Sequence, residues 1–337
     1  MANTHRVEYL DIAKGLGILF VVWAHARGPY SGYMYQFHMP LFFLISGYLF
    51  NERTTVKDFI LRKVKTLYFP FVFWNVLCIT LKYLFHIQNY SPRGYIKTVA
   101  EVFLTIGKDG QFLGATWFLG ALFVVSIWYK VMDSALPKRQ EKHLVLLAFF
   151  GTVAVIGFSI TLPYMISRTL ILSLFFAAGR TVRCCQQWLK FYDTKIMALF
   201  AILLFVIIGR YNSANMGANQ YTSPILFVIG AFFAGYGVIA ISRFLEQKSG
   251  YIKKLLLLMG KESLSILIWQ FVVFRIVIAI QLYLNDIPLR KLLDYFPCYS
   301  TQNGWWFAYF LVGVFASLLV GWIIKQTVHL LSLAIKK

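Results

Sequence analysis

The chain has 337 residues, of which 59% are hydrophobic and only 14% are charged. This composition is too apolar for a soluble domain of that length, so it excludes an ordinary soluble protein and favours a helical membrane protein. The formal net charge of +20 does not indicate nucleic-acid binding, because the basic residues stand in loops between apolar runs and form no basic domain.

Hydropathy predicts an all-α polytopic membrane protein in which residues 1–337 form a single integral-membrane domain. Ten membrane-spanning helices are expected. Their predicted ranges are 9–27, 36–51, 67–87, 113–132, 143–161, 165–182, 195–210, 222–242, 262–284 and 304–326. The second is short for a full crossing of the bilayer, and residues 30–37 are the segment that would complete it.

The number of lysine and arginine residues is high in every second loop and lower in the loops between, which predicts the orientation of the spans. They concentrate after spans two, four, six and eight and in the tail. These basic residues are Arg53, Lys57, Arg62, Lys63, Lys65, Lys130, Lys138, Arg139, Lys142, Arg180, Arg183, Lys190, Lys195, Arg243, Lys248, Lys253, Lys254, Lys261, Lys325, Lys336 and Lys337. The bias places both termini in the cytoplasm and favours an even number of spans.

Ionisable residues interrupt the first two predicted spans. Asp11, Lys14 and His25 lie in the first, EYLDIAKGLGILFVVWAH, and His38 stands at the start of the second, FHMPLFFLISGYLF. Such groups are costly in lipid, usually face the protein interior, and are candidates for function. The residues also have structural interpretations: His25 could be an interfacial histidine, and Lys14 could be a lysine that extends to the membrane surface.

The spacing of these residues places them on one helical face. Lys14 and His25 are eleven residues apart, which is about three turns and about 16 Å along a helix axis. Asp11 precedes Lys14 by three residues, close enough to pair with it. In the predicted orientation Lys14 is near the cytoplasmic end and His25 near the outer end, where His38 enters span two and the two histidines could approach each other. Gly15 and Gly17 favour close packing of another helix on span one.

Two further groups of residues each have two interpretations. Arg62, Lys63 and Lys65 form a basic segment that either anchors the chain to lipid headgroups or binds a phosphate-bearing cytoplasmic ligand. Trp117, at the start of predicted span four, is either an aromatic-belt residue of the membrane interface or a residue that lines the substrate site.

Predicted span nine contains two polar side chains, Arg275 and Gln270. A central arginine is costly in lipid and should be paired with a buried partner or should face a substrate site. Gln270 is expected to form a hydrogen bond with another helix. The loop that follows, residues 285–303, is amphipathic and either lies on the membrane or caps the site.

The four cysteines predict neither a disulfide nor a metal site. Cys184 and Cys185 are adjacent in sequence, which suits neither arrangement. Cys78 lies in an apolar run and Cys298 has no obvious partner. No metal ion is predicted.

The first fifty residues resemble a known family. YLDIAKGLGILFVVWAH followed by FHMPLFFLISGYLF is similar to the start of the acyltransferase-3 family of integral-membrane acyltransferases. Within that family, DIAKG…H…FHMPLFF is most similar to the branch of fucose 4-O-acetylase-like enzymes. Further matches are Arg62-Lys63 followed by LYFP, the WFL step at Trp117, and GKESL at residues 260–264.

Two positions depart from the usual pattern of the family. A basic residue, usually arginine, precedes a histidine with ten residues between them, and Lys14 and His25 occupy these positions. Lysine keeps the charge but lacks the two-pronged guanidinium. Gln270 stands where many relatives end a similar run with histidine.

The resemblance implies an enzyme of the inner membrane that transfers an acyl group, usually acetyl from acetyl-CoA, to a hydroxyl of a cell-surface polysaccharide or its lipid-linked precursor, as in exopolysaccharide biosynthesis. The implied partners are the lipid bilayer and a glycan or lipid-linked sugar acceptor. The resemblance is also compatible with association with polysaccharide assembly proteins.

The resemblance also implies roles for the residues of the first two spans. His25 would remove the proton of the acceptor hydroxyl or carry the acetyl group transiently. Lys14 would stabilise negative charge on the thioester side or hold the phosphate-bearing end of the coenzyme. Asp11 would orient Lys14, and His38 would shape or polarise the site.

A transporter or exporter is the rival interpretation, because intramembrane Asp, Lys and His also mark proton and substrate pathways. It predicts inverted repeats, and no second copy of DIAKG or FHMP is present in the sequence. A non-catalytic glycan-binding membrane protein is a third interpretation.

Overall fold

The computed structural model describes residues 7–85, 91–137, 139, 141–189 and 194–335. These residues are almost wholly helical, which confirms the all-α fold class. The α-helices are α1 (Glu8–His25), α2 (Ser31–Tyr35), α3 (His38–Tyr48), α4 (Val56–Lys63), α5 (Phe69–Leu84), α6 (Pro92–Leu104), α7 (Trp117–Ala135), α8 (Lys142–Ser159), α9 (Ile166–Cys184), α10 (Gln186–Leu189), α11 (Lys195–Tyr211), α12 (Pro224–Glu246), α13 (Tyr251–Lys261), α14 (Ser263–Leu284) and α15 (Trp305–Ile335). Four of the basic residues used for orientation, Lys138, Lys190, Lys336 and Lys337, lie outside the described residues.

A small hairpin interrupts the helices between α11 and α12. Its strands, β1 (Ala214–Asn215) and β2 (Gln220–Tyr221), are antiparallel, and a 3₁₀ turn at Met216–Ala218 joins them. The side chain of Asn215 accepts a hydrogen bond from the Ala218 N–H, and Asn219 adopts a left-handed conformation, as Asn does readily.

Six helical segments in the described residues are long and apolar enough to cross a membrane. They are Val56–Leu84, Trp117–Ala135, Lys142–Ser159, Pro224–Glu246, Ser263–Leu284 and Trp305–Leu333. The other four predicted spans coincide with α1, α3, α9 and α11. Helices α1 and α9 carry several charged residues, and α3 and α11 are shorter than a usual span. The count of ten therefore stays a prediction.

The predicted second span is a broken element. Helix α3 has 11 residues, which is about 16 Å, roughly half of the hydrocarbon thickness. The segment before it forms the separate short helix α2, and the chain leaves helical structure between them at residues 36–37. Residues 30–37 thus do not extend α3 into a continuous crossing helix.

The basic segment after α3 is continuous with the predicted third span. Thr55 caps α4 by accepting a hydrogen bond from the Asp58 N–H, and α4 runs into α5 through a π-helical turn at Val64–Tyr68. Pro70, near the start of α5, has no N–H to donate, so the regular hydrogen-bond ladder is interrupted there. Val56–Leu84 consequently forms one 29-residue helical segment.

The chain divides into two compact units. The first takes its described residues from Met1–Met34, Gly110–Ala115 and Ile241–Lys337, and the second from Tyr35–Asp109 and Thr116–Ala240. In the first unit α1 packs against α13, α14 and α15, and α14 packs against α15. The single integral-membrane domain expected from the sequence stays a prediction.

In the second unit the principal packing is of α9 against α3 and α8. Glycines allow α3 and α9 to meet backbone to backbone. A Cβ on Gly179 would lie 2.0 Å from the Leu44 carbonyl oxygen, so this face tolerates no side chain. A buried ion pair between Lys82 and Asp109, with 2.5 Å between Nζ and Oδ2, ties α5 to the loop before α7.

Candidate active site

Helix α1 is the frame of the candidate site. It runs unbroken for 18 residues and carries Asp11, Lys14 and His25, so the separation of about 16 Å between Lys14 and His25 along one face follows from its regular geometry. Acidic residues occupy its first turn and His25 its last, which matches the helix dipole at both ends.

Lys14 and Asp11 form the ion pair that their spacing predicts. The Lys14 ammonium donates to Asp11 Oδ1 over 2.7 Å. The carboxylate side chain is 5% exposed, whereas 26% of the Lys14 side chain is exposed. A buried carboxylate therefore holds an ammonium that retains access to its surroundings.

Close backbone packing with α13 fixes the Asp11 end of α1. A Cβ on Gly15 would lie 2.2 Å from the Leu256 carbonyl oxygen, and a Cβ on Gly260 would come still closer to the Asp11 carbonyl oxygen. These glycines let the two backbones touch, as the sequence predicted for Gly15. Lys253 of α13 also pairs with Glu8, with 2.8 Å between Nζ and Oε2.

His25 contacts helix α14. Its Nδ1 lies 2.9 Å from Oε1 of Gln270, which confirms the prediction that Gln270 bonds to another helix. The Gln270 side chain is fully buried, and its Nε2 donates to the Leu267 carbonyl over 3.1 Å. The ring of Phe271 packs on the imidazole with 4.8 Å between centroids. One face of His25 is therefore apolar, and one ring nitrogen has a defined partner.

Arg275 holds the loop that follows α14. Its guanidinium donates to the carbonyls of Leu292 (2.9 Å), Tyr295 (2.5 Å) and Gln111 (3.0 Å). These contacts tie residues 110–115 and the loop to α14. Backbone carbonyls thus accept hydrogen bonds from both terminal nitrogens of this buried guanidinium, an arrangement that its position in an apolar run does not predict. A substrate-binding role for Arg275 stays a prediction.

The same loop closes around His25. The ring of Phe296 packs at a tilt against Phe271, with 4.9 Å between centroids, and Cys298 Sγ donates to the His25 carbonyl at 3.6 Å. Burial raises the pKa of the Cys298 thiol to about 12, so it is neutral at physiological pH. Of the two expectations for residues 285–303, capping of the site is the one that these contacts support.

His38 and Trp117 belong to the second unit. His38 is the first residue of α3, is 2% exposed, and packs against Tyr35 with 5.5 Å between ring centroids. Its approach to His25 stays a prediction. Trp117 is the first residue of α7 and is 6% exposed. An aromatic-belt residue presents its ring to the membrane interface, so this burial does not support the belt interpretation.

The predicted phosphate-binding residues lie on the long helical segment of the second unit. Arg62 and Lys63 are at the end of α4, and Lys65 is in the π-helical turn. The cationic groups of Arg62 and Lys63 lie 5.6 and 5.4 Å from the centroid of the buried Phe59 ring. Arg62 is exposed and Lys63 is partly exposed, so either an anion or lipid headgroups can reach them.

With this geometry in place, comparison with known proteins is decisive for the family. The acyltransferase domain of the acyltransferase-3 family matches residues 7–326. The chain belongs to the acyltransferase-3 family. As a member of this family it contains an acyltransferase domain, and this membership disfavours the transporter.

The chain is similar to a curated protein: it is 29% identical over 140 residues to the nodulation protein NolL of Mesorhizobium japonicum. That match covers 37% of this chain and 35% of NolL, so the aligned region spans about a third of the relative. No solved structure matches.

Reasoning from the sequence missed several residues around His25. Phe271 packs against its ring, Phe296 packs against Phe271, and Cys298 contacts its carbonyl. Only the adjacency of Phe271 to Gln270 gave a signal in the sequence. Within the described residues, no three His, Cys, Asp or Glu side chains are grouped as metal ligands would be.

Proposed function

We propose that this acyltransferase moves an acetyl group from cytoplasmic acetyl-CoA to a hydroxyl of a cell-surface polysaccharide or its lipid-linked precursor, and that it acts in the inner membrane. The observation that carries the proposal is the arrangement on α1, where a paired ammonium and a hydrogen-bonded imidazole lie three turns apart. The similarity of the first fifty residues to fucose 4-O-acetylase-like enzymes supports a sugar hydroxyl as the acceptor.

His25 is proposed to act at the acceptor. A hydroxyl is a weak nucleophile, and histidine is the side chain whose proton affinity suits a base near neutral pH. In direct transfer, His25 takes the hydroxyl proton while the oxygen attacks the thioester carbonyl carbon. A C–O bond forms, the C–S bond breaks, and the departing thiolate of coenzyme A takes the proton from the imidazolium.

A two-step route uses the same residue. The His25 nitrogen attacks the thioester carbonyl carbon, the C–S bond breaks and the thiolate of coenzyme A leaves. The acceptor hydroxyl then attacks the acetyl carbon, a C–O bond forms, the C–N bond to the imidazole breaks, and the hydroxyl proton balances the one that the thiolate takes up. Both routes place the chemistry at the same end of α1. They differ in whether acetyl-histidine accumulates when the acceptor is withheld.

Lys14 is proposed to bind the coenzyme and not the reacting carbonyl. The separation of about 16 Å along the helix exceeds the hydrogen-bond reach of a group that acts at the same atoms as His25. Its partly exposed ammonium, oriented by Asp11, suits the phosphate-bearing end of acetyl-CoA. Arg62, Lys63 and Lys65 are proposed to add to the binding of these phosphates. Association with polysaccharide assembly proteins also stays a prediction.

The experiment follows labelled acetyl groups from acetyl-CoA into surface glycan in cells or membrane vesicles that contain the full chain. Wild type should incorporate label, and His25→Ala should lose it at equal membrane abundance. His143→Ala, which changes a histidine at the start of α8 in the second unit, is the matched control and should retain incorporation. Full incorporation by His25→Ala would contradict the role of His25. Incorporation from propionyl-CoA at an equal rate would contradict specificity for acetyl.

A further inference from the structure

The hydrogen bonds of Gln270 define which of its amide atoms faces His25. One end of the amide meets the Leu267 carbonyl, which can only accept a hydrogen bond, so the amide nitrogen must lie there. The reverse orientation would bring two acceptor oxygens together in a fully buried place, which is costly. The amide oxygen therefore faces the imidazole.

The orientation of this amide determines the tautomer of His25. Because Oε1 of Gln270 can only accept, the Nδ1 that lies 2.9 Å from it must carry the proton. A neutral imidazole has one proton, so its Nε2 carries the lone pair. Packing against Phe271 further fixes the plane of the ring.

We infer that Gln270 is a positioning residue that makes Nε2 of His25 the reactive nitrogen of the enzyme. The inference rests on the proposed function and deepens it, because it assigns the same atom as the base in direct transfer and as the carrier in the two-step route. Gln270 contributes no proton itself. It holds one tautomer and one ring orientation, so no reorientation of the imidazole is needed at each turnover.

Other groups near His25 in this unit contact atoms other than the ring nitrogen that faces Gln270. Cys298 meets the backbone carbonyl of His25 and is neutral. Arg27, just after α1, and Arg275 act on the Cys298 thiol through their positive charges. Tyr309 of α15 interacts with the same three residues.

Substitution of Gln270 by glutamate and by methionine should change the enzyme in two different ways. A carboxylate that accepts from Nδ1 favours the imidazolium, so Gln270→Glu should move the acidic limb of the rate profile to higher pH by about one unit or more. Gln270→Met keeps the volume and removes the acceptor, so kcat should fall about 10- to 100-fold with KM for acetyl-CoA unchanged. Ile276→Met changes an exposed side chain of the same helix and should leave kcat and the pH profile as in wild type.

A second readout does not depend on enzyme activity. Diethyl pyrocarbonate modifies neutral imidazole, so the pH dependence of modification at His25, measured by peptide mass spectrometry on the full-length protein, reports the pKa of this residue. Gln270→Glu should shift that curve in the same direction as the rate profile. An unshifted curve in folded Gln270→Glu, or wild-type kcat in Gln270→Met, would overturn the inference.

The two readouts separate failure of the inference from failure of the proposed function. If wild type transfers no acetyl group but the modification curve shifts in Gln270→Glu, the proposed function fails and the coupling of Gln270 to His25 stands. If acetyl transfer occurs and depends on His25 but neither curve shifts, the proposed function stands and the positioning role fails.

Discussion

At the scale of single residues, Asp11 holds the Lys14 ammonium in place without burying it. The ammonium donates to a buried carboxylate and is still partly exposed, so it can bind a second anion. Most members of the acyltransferase-3 family that the sequence resembles have arginine at this position. An arginine would keep both the charge and the pairing, whereas an uncharged side chain would lose both.

Substitution of Lys14 should therefore affect binding of the acyl donor more than the chemical step. We expect Lys14→Met to raise KM for acetyl-CoA about tenfold or more, as for loss of a charged hydrogen bond, with a smaller change in kcat. Lys14→Arg should stay within about threefold of wild type because the charge remains. Steady-state kinetics in detergent-solubilised protein would measure both constants.

Lys254→Met is the matched control for this prediction. Lys254 lies exposed on α13 of the same unit, and its loss should leave both constants as in wild type. A lower kcat at constant KM in Lys14→Met would contradict binding of the coenzyme phosphates. It would support the alternative role, stabilisation of charge on the thioester side.

At the scale of helices, backbone contact between α1 and α13 positions the Asp11–Lys14 pair. Gly260→Ala would place a methyl group against the Asp11 carbonyl oxygen, so the two helices must move apart. We expect a lower Tm and a loss of acetyl transfer, because overpacking typically costs about 1–3 kcal/mol. Thermal unfolding of the solubilised protein, together with the transfer assay, tests this.

Gly151→Ala controls for the general effect of alanine in a membrane helix. Gly151 lies in the interior of α8, and a Cβ there would meet nothing within 4 Å. Alanine also favours helix over glycine, so this variant should be at least as stable as wild type. Equal stability of Gly260→Ala and Gly151→Ala would show that the contact of α1 with α13 is not tight.

Arg275 should keep the loop after α14 ordered around His25. Its three hydrogen bonds to carbonyls connect α14 with residues 110–115 and with Leu292 and Tyr295. We expect Arg275→Met to increase amide hydrogen exchange at residues 289–300, because this loop loses its anchor. The transfer rate should fall with it, since Phe296 and Cys298 contact the surroundings of His25 through the same loop.

Arg290→Met is the control within the loop itself. Arg290 is exposed, so its removal should change neither hydrogen exchange nor transfer. Unchanged exchange in Arg275→Met would contradict the anchoring role. Faster exchange with normal transfer would show that closure of the loop is not needed for chemistry.

The sequence predicts those parts of the candidate site that depend on one helix alone. Helical periodicity places Asp11, Lys14 and His25 on a single face, and the structure has them on the unbroken helix α1. It also predicts that Gln270 bonds to a helix, but not to which one, because α14 follows α1 by more than two hundred residues. Contacts across such distances depend on packing.

Element boundaries were harder to predict where polar and apolar signals conflict. Pro70 is typical of a helix start, yet α4 and α5 continue past it through the π-helical turn. The basic residues of α4 suggested a separate surface segment. Local sequence does not reveal that a wider, π-helical turn accommodates the loss of the hydrogen bond that Pro70 cannot donate.

At the scale of the whole molecule, the orientation in the membrane decides which side of the enzyme meets acetyl-CoA. The alternation of basic loops predicts that Lys14 lies towards the cytoplasm and His25 towards the outside. Acetyl-CoA is a cytoplasmic metabolite and a surface glycan is not. The proposed division of labour along α1 therefore depends on this orientation as well as on local geometry.

Single cysteines in a variant without the four native cysteines would test the orientation. Lys248, between α12 and α13, and Gly217, in the hairpin, are both exposed. We expect a membrane-impermeant maleimide to label Gly217→Cys in intact cells, and Lys248→Cys only after permeabilisation. The reverse pattern would place the Lys14 end of α1 outside, where no acetyl-CoA is present. The donor assignment of Lys14 would then fail, while the hydrogen bond between His25 and Gln270 would be unaffected.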